Sequence, residues 1–247
     1  MNIVKKILLP MLLCLSFSIY PQVFDIPYKT DAPNRTLLLP AENAKAVVLL
    51  FPGGGGMLRL KDDGKTNNTH TFVRSKNEWA KYGISAVLVD TPYDLLSGDR
   101  NIRRISDHQQ RVENMVQFYK DKLNLPIWLF GHSMGTVSAS EFVNQEKEHQ
   151  QLLAGIILAG TFKAVTIKKD VELPLLIIHH EEDSCISTPV SRSKNIFENR
   201  PTNQISKLVL LHGGTSSGDV CGALSHHGFE GIEGEFVKTA AEFISLY

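Results

Sequence analysis

A serine enclosed by two glycines is the first residue whose type and setting could do chemistry. Residues 131–135 read Gly-His-Ser-Met-Gly, between an apolar run at 127–130 and a stretch of helical character. G-x-S-x-G between a strand and a helix is typical of a nucleophile elbow, a sharp turn that exposes a serine hydroxyl at the end of a sheet. Glycine has no Cβ, so strand and helix can approach closely there. The pattern makes Ser133 a candidate nucleophile.

Two further groups would have to activate this serine. A serine hydroxyl is a weak nucleophile at neutral pH and needs a base, which in turn needs an acid that orients it. Candidate acids are the Glu-Glu-Asp residues at 181–183, directly after an apolar run. Candidate bases are His226 and His227, which follow the last apolar run. Adjacent side chains point in different directions, so only one of these histidines can serve. The order serine, acid, histidine is the one that accompanies a nucleophile elbow.

The apolar pattern predicts the elements that must position these residues. Buried strands are predicted at 45–51, 84–89, 127–130, 152–159, 174–180 and 206–211, after an irregular lead-in at 25–34 and a short strand near 35–39. Helices are predicted at 71–82, 106–123, 136–151, 191–197 and 233–246. Apolar strands separated by helices imply a mostly parallel sheet covered on both faces. No linker divides the chain, so we expect a single α/β domain over residues 21–247.

The first twenty residues differ from the rest of the chain. Lys5 and Lys6 precede a mostly apolar run at 7–19, which fits a secretory signal peptide and is too short to span a membrane. We therefore expect residues 1–20 to be a signal peptide. The mature protein would then be periplasmic or secreted and would have no transmembrane span. The alternative is an uncleaved anchor that lies in the membrane interface.

Charge and cysteine content narrow the partners and the compartment. The chain has 26 basic and 26 acidic residues, and this balance argues against a nucleic-acid partner, which requires a basic surface. Cys14 lies in the predicted signal peptide, which leaves Cys185 and Cys221. An exported protein can form a disulfide from such a pair, and the alternative is two free thiols. A bridge would tie the loop of the candidate acids to the loop of the candidate bases.

From about residue 45 to its end, the chain resembles the α/β-hydrolase superfamily. The segment HHEEDSCISTP at 179–189 resembles the acid loop of that family and implies that Asp183 is the acid. The sequence His-Gly-Phe-x-Gly at 227–231 resembles the setting of the family's histidine. It favours His227 over His226 as the base.

The resemblance also implies an oxyanion hole, a set of backbone N–H groups that stabilise the negative oxygen of the reaction intermediate. One N–H would come from Met134, the residue after the nucleophile. The segment PGGGG at 52–56 resembles the family's His-Gly-Gly-Gly loop, with proline in place of histidine, and implies a second N–H from Gly54 or Gly55. A phosphate-binding loop would instead require a Gly-Lys-Ser/Thr ending or a G-x-G-x-x-G that opens a helix.

The substrate is expected to meet an open site. Thirteen residues, 161–173, separate two predicted strands where many hydrolases insert a cap, and this is too few for a substantial one. We expect a pocket framed by residues 57–70, 93–105 and 212–225. The resemblance implies a compact, capless esterase similar to dienelactone hydrolases, which cleaves small to medium acyl esters through an acyl-enzyme without cofactor or metal. Alternatives are a peptidase, thioesterase or acyltransferase with the same triad, and a non-catalytic binding protein on the same fold.

Overall fold

An eight-stranded sheet runs through the structure, a computed structural model that describes residues 20–29, 31–92, 95 and 102–247. The strands are β1 (Gln22–Ile26), β2 (Asn34–Leu39), β3 (Ala46–Phe51), β4 (Ile84–Val89), β5 (Ile127–His132), β6 (Gly155–Ala159), β7 (Leu175–His180) and β8 (Ser206–Leu211). Their order across the sheet is β1-β2-β4-β3-β5-β6-β7-β8. The pairs β1–β2 and β2–β4 are antiparallel, and the other five pairs are parallel. The predicted mostly parallel sheet is confirmed.

Helices cover both faces of this sheet. They are α1 (Thr71–Arg74), α2 (Ser106–Leu123), α3 (Gly135–Gln145), α4 (Lys147–Gln151), α5 (Val190–Glu198) and α6 (Glu233–Ile244). Short 3₁₀ helices lie at Trp79–Tyr82 and Ile102–Arg104. Side chains of α1 and α6 belong to the apolar layer on one face, and side chains of α2, α3 and α5 belong to the layer on the other.

Strand β3 illustrates why the central strands are apolar without alternation. Val48 and Leu50 point into the layer under α6, whereas Val47 and Leu49 point into the layer under α2 and α3. All four side chains are fully buried. Successive side chains of a strand point to opposite faces, so a strand covered on both faces must be apolar at every position.

The expectation of an irregular lead-in is wrong at its start, where β1 forms. This strand is an edge strand, and its residues Val23 and Asp25 lie opposite Leu37 and Arg35 of β2. The guanidinium of Arg35 forms an ion pair with the carboxylate of Asp25, at 2.6 Å. Polar side chains are tolerated because most residues of the strand are only half-buried, and they obscure the apolar pattern that identifies the central strands.

Two predicted helices are broken in the structure. The stretch 71–82 contains only α1 and the 3₁₀ turn at Trp79–Tyr82, which is followed by Gly83 with φ +67°. The stretch 136–151 is interrupted by Glu146, which is extended with φ −138°. Beyond this break, His149 folds back, stacks on the ring of Phe142 and contacts its carbonyl oxygen at 2.8 Å. These tertiary contacts favour a bend over a continuous helix.

Two segments outside the sheet bear on the sequence predictions: residues 161–173, where no substantial cap is expected, and residues 1–20, the predicted signal peptide. Residues 161–173, all within the described part, contain neither helix nor strand, so no cap is inserted there. The predicted signal peptide lies outside the described residues except for Tyr20, and part of the predicted pocket frame, residues 93–94 and 96–101, does so too. Among the described residues, no helix combines the length and hydropathy needed to cross a membrane.

The contact between β3 and the start of α3 predicts that residue 135 must be glycine. A Cβ built on Gly135 would lie 1.9 Å from the carbonyl oxygen of Phe51, an atom fixed in the sheet. We expect Gly135→Ala to lower the free energy of unfolding by about 3 kcal/mol or more, or to prevent folding, as measured by urea denaturation. The matched control is Gly234→Ala in α6, where a Cβ meets no atom within 4 Å. This control should be neutral or up to about 1 kcal/mol more stable, and equal denaturation midpoints for the two variants would contradict the prediction.

Candidate active site

Ser133 occupies the turn between β5 and α3. Its φ is +54°, a conformation that residues other than glycine rarely adopt. The strain is opposed by neighbouring contacts, since the N–H of Ser133 donates to the carbonyl oxygen of Ala159 in β6 at 2.9 Å. Residues 52–56, the glycine loop, pass close to the serine. A Cβ added to Gly53 would lie 3.0 Å from the Cβ of Ser133. The strand-turn-helix setting expected of a nucleophile elbow is therefore present.

Asp183 and His227 are brought together from loops 44 residues apart. Asp183 follows β7, and its Oδ2 accepts a hydrogen bond from Nδ1 of His227 at 2.9 Å. Both side chains are almost fully buried, with exposed fractions of 1% and 2%. Within the described part of the chain, Nε2 of His227 and Oγ of Ser133 have no hydrogen-bond partner. Such contacts are often long in a free enzyme and tighten when substrate binds.

The other candidate base, His226, does not reach this carboxylate. Its ring stacks on His180, with ring centroids 4.5 Å apart and planes 2° from parallel. Its nearest carboxylate oxygen belongs to Glu182, at 3.8 Å. The two adjacent histidines therefore point in different directions, and only His227 contacts Asp183.

Three further donors converge on the carboxylate of Asp183. Oδ2 accepts from Nε2 of His179 and from Oγ1 of Thr188, both at 3.1 Å, and Oδ1 accepts from the N–H of Cys185 at 2.9 Å. Burial alone would raise the pKa of Asp183, but the hydrogen bonds from His179 and His227 outweigh it and hold the pKa well below its ordinary value. The carboxylate is ionised at neutral pH, the state in which it can orient a histidine.

The sequence assigns no role to His179, which lies at the start of the segment 179–189. Its ring is fully buried behind Asp183, and Nδ1 lies 2.7 Å from Oγ of Ser193 in α5. The hydroxyl of Ser193 in turn contacts Oγ1 of Thr161 at 2.8 Å. This chain fixes the ring of His179, so that its Nε2 is held toward the carboxylate.

Two more histidines, His132 and His70, form hydrogen bonds between the elbow and the loop that carries His227. His132, which precedes Ser133, donates from Nε2 to the carbonyl oxygen of His227 at 2.9 Å. Its Nδ1 is therefore an acceptor and lies 3.0 Å from Nε2 of His70. Nδ1 of His70 accepts the N–H of Phe72 at 3.1 Å, so His70 carries its proton on Nε2 and donates it to His132. Both rings must be neutral in this arrangement.

Burial explains why these rings remain neutral. It lowers the pKa of His70 to about 3 and the pKa of His132 well below its ordinary value, with the neighbouring cations and histidines acting in the same direction. His108 of α2 is a third such residue, since burial lowers its pKa to about 3. It lies 2.9 Å from Oγ of Ser138 in α3.

The glycine loop is held by its carbonyl oxygens. Nη2 of Arg103 donates to the carbonyl oxygens of Pro52 and Gly54, at 2.8 and 3.1 Å. The carbonyl oxygen of Gly53 accepts from the N–H of Gly56 at 3.0 Å. In a trans peptide the N–H points away from the C=O, so the next N–H groups along the loop face the opposite way.

The orientation of these peptides leaves three N–H groups available near Ser133. The N–H of Gly53 points toward the ring of His70, 3.0 Å from Nε2, although that nitrogen carries a proton in the tautomer given above and cannot accept a hydrogen bond. For the N–H groups of Gly54, Gly55 and Met134, the described residues provide no acceptor. Gly54 and Gly55 are exposed and Met134 is half-buried, so these three N–H groups can be reached from solvent and are able to donate to an oxygen of a bound molecule.

Arg103 gives the glycine loop its shape and had no signal in the sequence. The guanidinium is buried, and burial lowers its pKa to about 10, so it remains a cation at neutral pH. Nη1 donates to Oγ of Ser138 at 2.8 Å, which links the loop to α3. Gly56, with φ +77°, leaves room for the guanidinium because it has no Cβ. A Cβ at that position would lie 2.5 Å from Nη2 of Arg103.

The predicted disulfide between Cys185 and Cys221 is confirmed. The two Cα atoms are 4.7 Å apart, and the bond closes a loop of 36 residues. It joins the loop that carries Asp183 to the loop that carries His227, as expected if both cysteines serve the same site.

Comparison with known proteins agrees with this architecture at the level of the fold. No protein-family model matches the chain, and no curated protein matches its sequence. A dienelactone hydrolase from Anabaena variabilis superimposes with a TM-score of 0.66 at 14% identity, over 92% of this chain and 98% of that one. The chain has the α/β-hydrolase fold.

Two further solved structures share this α/β-hydrolase fold. One is a serine hydrolase without a lid from Xanthomonas campestris, with a TM-score of 0.60 and 13% identity over 90% of this chain and 94% of that one. The other is a cold-adapted esterase from an Arctic intertidal metagenomic library, with a TM-score of 0.57 and 14% identity over 90% and 92%. Similarity therefore extends over almost the whole chain, at sequence identities that establish only the fold.

The three neutral histidines predict a loss of stability in acid. Their pKa values are lowered in the folded state, so below about pH 6.5 the unfolded chain binds protons that the folded chain does not. Each of His70, His108 and His132 should then lower the free energy of unfolding by about 1.4 kcal/mol per pH unit as the pH falls from 6.5 toward 4. Urea denaturation at several pH values measures this slope.

A pair of variants isolates the contribution of one ring. His108→Gln removes the titrating group and should make the slope shallower by up to about 1.4 kcal/mol per pH unit. His212→Gln, at an exposed position, should leave it unchanged. A stability that is flat over this pH range in the unmodified protein would show that the buried rings take up protons in the folded state.

Proposed function

We propose that the protein is a serine hydrolase that cleaves small to medium acyl esters through an acyl-enzyme intermediate. The observation that carries the proposal is the hydrogen bond from His227 to the ionised, buried Asp183, next to an elbow that holds Ser133 at positive φ. A base oriented by an acid and a serine on a strained turn are the parts that this chemistry requires. The solved structures with the same fold include proteins described as hydrolases and esterases.

In the proposed reaction, Oγ of Ser133 attacks the carbonyl carbon of the ester while Nε2 of His227 takes the hydroxyl proton. Asp183 accepts a hydrogen bond from Nδ1–H of His227 throughout, which fixes the tautomer and stabilises the imidazolium that forms, while the carboxylate itself stays ionised. The tetrahedral intermediate then expels the alcohol, which receives the proton from Nε2. A water molecule, activated by the same ring, hydrolyses the acyl-enzyme and regenerates Ser133.

The proposed oxyanion hole uses the N–H of Met134 and that of Gly54, with Gly55 as the alternative. This assignment is supported by the N–H groups of Gly54, Gly55 and Met134, for which the described residues provide no acceptor. Gly53 is a weaker candidate because its N–H is directed at His70. Donors that are already oriented before substrate binds stabilise the developing charge without reorganisation, and the bonds of Arg103 to Pro52 and Gly54 provide that preorganisation.

The size of the proposed substrate follows from the lack of a cap at residues 161–173. Without a covering domain, a long acyl chain would find little apolar surface to leave water. The loop at 212–221 beside the site is exposed at every residue, which also favours a small or medium ester.

We further infer that the mature protein is periplasmic or secreted. The basic and apolar pattern of residues 1–20 supports this inference. The disulfide between Cys185 and Cys221 is compatible with it, because such bonds persist in oxidising compartments.

Short p-nitrophenyl esters provide the direct test of the triad. Ser133→Ala and His227→Ala should each lower kcat by roughly ten-thousand-fold, because each removes a group that acts in the transition state. His226→Gln is the matched control, since this neighbouring ring does not contact Asp183, and its kcat should stay close to that of the unmodified protein. A fluorophosphonate probe should label the unmodified protein and not Ser133→Ala.

The pattern of results distinguishes the competing functions. Equal ester hydrolysis by Ser133→Ala and the unmodified protein would rule out Ser133 as the nucleophile. Preferential turnover of thioesters or peptides in a substrate panel would support the triad but show that the substrate is a thioester or an amide and not an ester. Failure of the fluorophosphonate to label Ser133 would favour a non-catalytic binding protein.

The disulfide should contribute to both stability and turnover. The double variant Cys185→Ala/Cys221→Ala should lower the free energy of unfolding by about 4 kcal/mol, from the restored entropy of a 36-residue loop in the unfolded chain. Since the bridge joins the loops of Asp183 and His227, we expect kcat to fall more than KM rises, at a temperature where circular dichroism shows the variant folded. Unchanged kcat in the folded variant would limit the bridge to a role in stability.

A further inference from the structure

Three metal-binding side chains lie together just outside the proposed triad. One ligand atom each of His180, Glu182 and His226 lies within 4.8 Å of the other two. His180 ends β7, Glu182 precedes Asp183, and His226 precedes His227. None of the three takes part in the proposed hydrolysis. The cluster therefore combines the last residue of β7 with one residue from each of the two loops that the disulfide connects.

His180 is already held as a metal-ligating histidine would be. Its Nε2 donates to the carbonyl oxygen of Gly213 at 2.8 Å. Ligating histidines make this type of backing hydrogen bond with the nitrogen that does not bind the metal. The bond fixes the tautomer and places the acceptor lone pair on Nδ1. This lone pair now accepts the N–H of Glu182 at 3.1 Å, and a metal ion would have to displace that hydrogen bond.

His226 is the adjustable ligand of the cluster. Its side chain is 24% exposed, and among the described residues neither ring nitrogen has a hydrogen-bond partner. The ring stacks on His180 with planes 2° from parallel, so the in-plane lone pairs of the two rings do not converge on one point. Rotation of the His226 ring is therefore required, and no hydrogen bond opposes it. Its Nε2 is already 3.8 Å from Oε2 of Glu182.

We propose that His180, Glu182 and His226 form a Zn²⁺ site that joins the acid loop to the histidine loop. Two imidazole nitrogens and one carboxylate oxygen are a common zinc ligand set, whereas Mg²⁺ and Ca²⁺ prefer oxygen ligands alone. Zinc bonds of about 2.0–2.2 Å require the three donors to contract around the ion. The partial exposure of Glu182 and His226 allows this contraction and gives Zn²⁺ access from solvent. A water molecule would complete a tetrahedral site.

Calorimetric titration of the metal-free protein with Zn²⁺ tests the site directly. The unmodified protein should bind one equivalent. Glu182→Gln keeps the shape of the side chain without its charge, and His226→Phe keeps a ring over His180 without its nitrogens. Each should weaken binding at least about tenfold. His212→Phe is the matched control, because it removes an exposed histidine from the same loop region and should leave the affinity unchanged.

Thermal unfolding gives a second readout that does not depend on hydrolysis. An ion that binds only the folded chain raises its Tm, so Zn²⁺ should raise the Tm of the unmodified protein and of His212→Phe, and a chelator should reverse the shift. At the same Zn²⁺ concentration, the shift in Tm should be clearly smaller for Glu182→Gln and for His226→Phe. Glu182 is 63% exposed, so its variant should fold even if His226→Phe does not. No binding by the unmodified protein, or equal binding by Glu182→Gln, would overturn the proposal.

Discussion

The buried carboxylate of Asp183 is the constraint on which the rest of the site depends. An ionised carboxylate removed from water is costly unless donors replace the lost solvent. Those donors come from separate parts of the chain: His179 at the end of β7, Cys185 and Thr188 in the acid loop, and His227 in the loop before α6. These donors are held in place by contacts of their own: Ser193 of α5 contacts the ring of His179, and the disulfide holds Cys185. Satisfying one charge therefore orients several elements around a single pair of oxygens, and it does so before any substrate is present.

The same logic extends to the elbow through neutral groups. Since His132 donates to the carbonyl oxygen of His227 and accepts from His70, the turn that carries Ser133 and the loop that carries the histidine share one hydrogen-bond chain. Protonation of either ring would place two donors face to face, and burial disfavours the charge that this would create. Two contacts thus fix the position of His227. Its ring donates to the charged carboxylate of Asp183, and its carbonyl oxygen accepts from the neutral imidazole of His132.

The sequence predicts those features that local pattern controls. Strands such as β3 and β5 are continuous apolar runs because both of their faces are buried, and the order of Ser133, Asp183 and His227 follows from short motifs at strand ends. The edge strand β1 was not predicted because it is only half-buried and lacks a continuous apolar run. The break in the helix at Glu146 was not predicted because it depends on a tertiary contact, the stacking of His149 on Phe142. The roles of His179, His70 and Arg103 depend on how distant elements pack, and no local motif marks these residues.

The loop that carries the candidate base explains why the cysteines lie where they do. Residues 212–221 are exposed throughout, so this segment has little apolar burial with which to fix its position. Segments of this kind open easily unless specific bonds hold them. Two bonds reach it from the acid loop and β7: the disulfide at Cys221 and the hydrogen bond from His180 to the carbonyl oxygen of Gly213. Covalent and polar contacts thus replace a hydrophobic core at the one place where an exposed loop must present a histidine to Asp183.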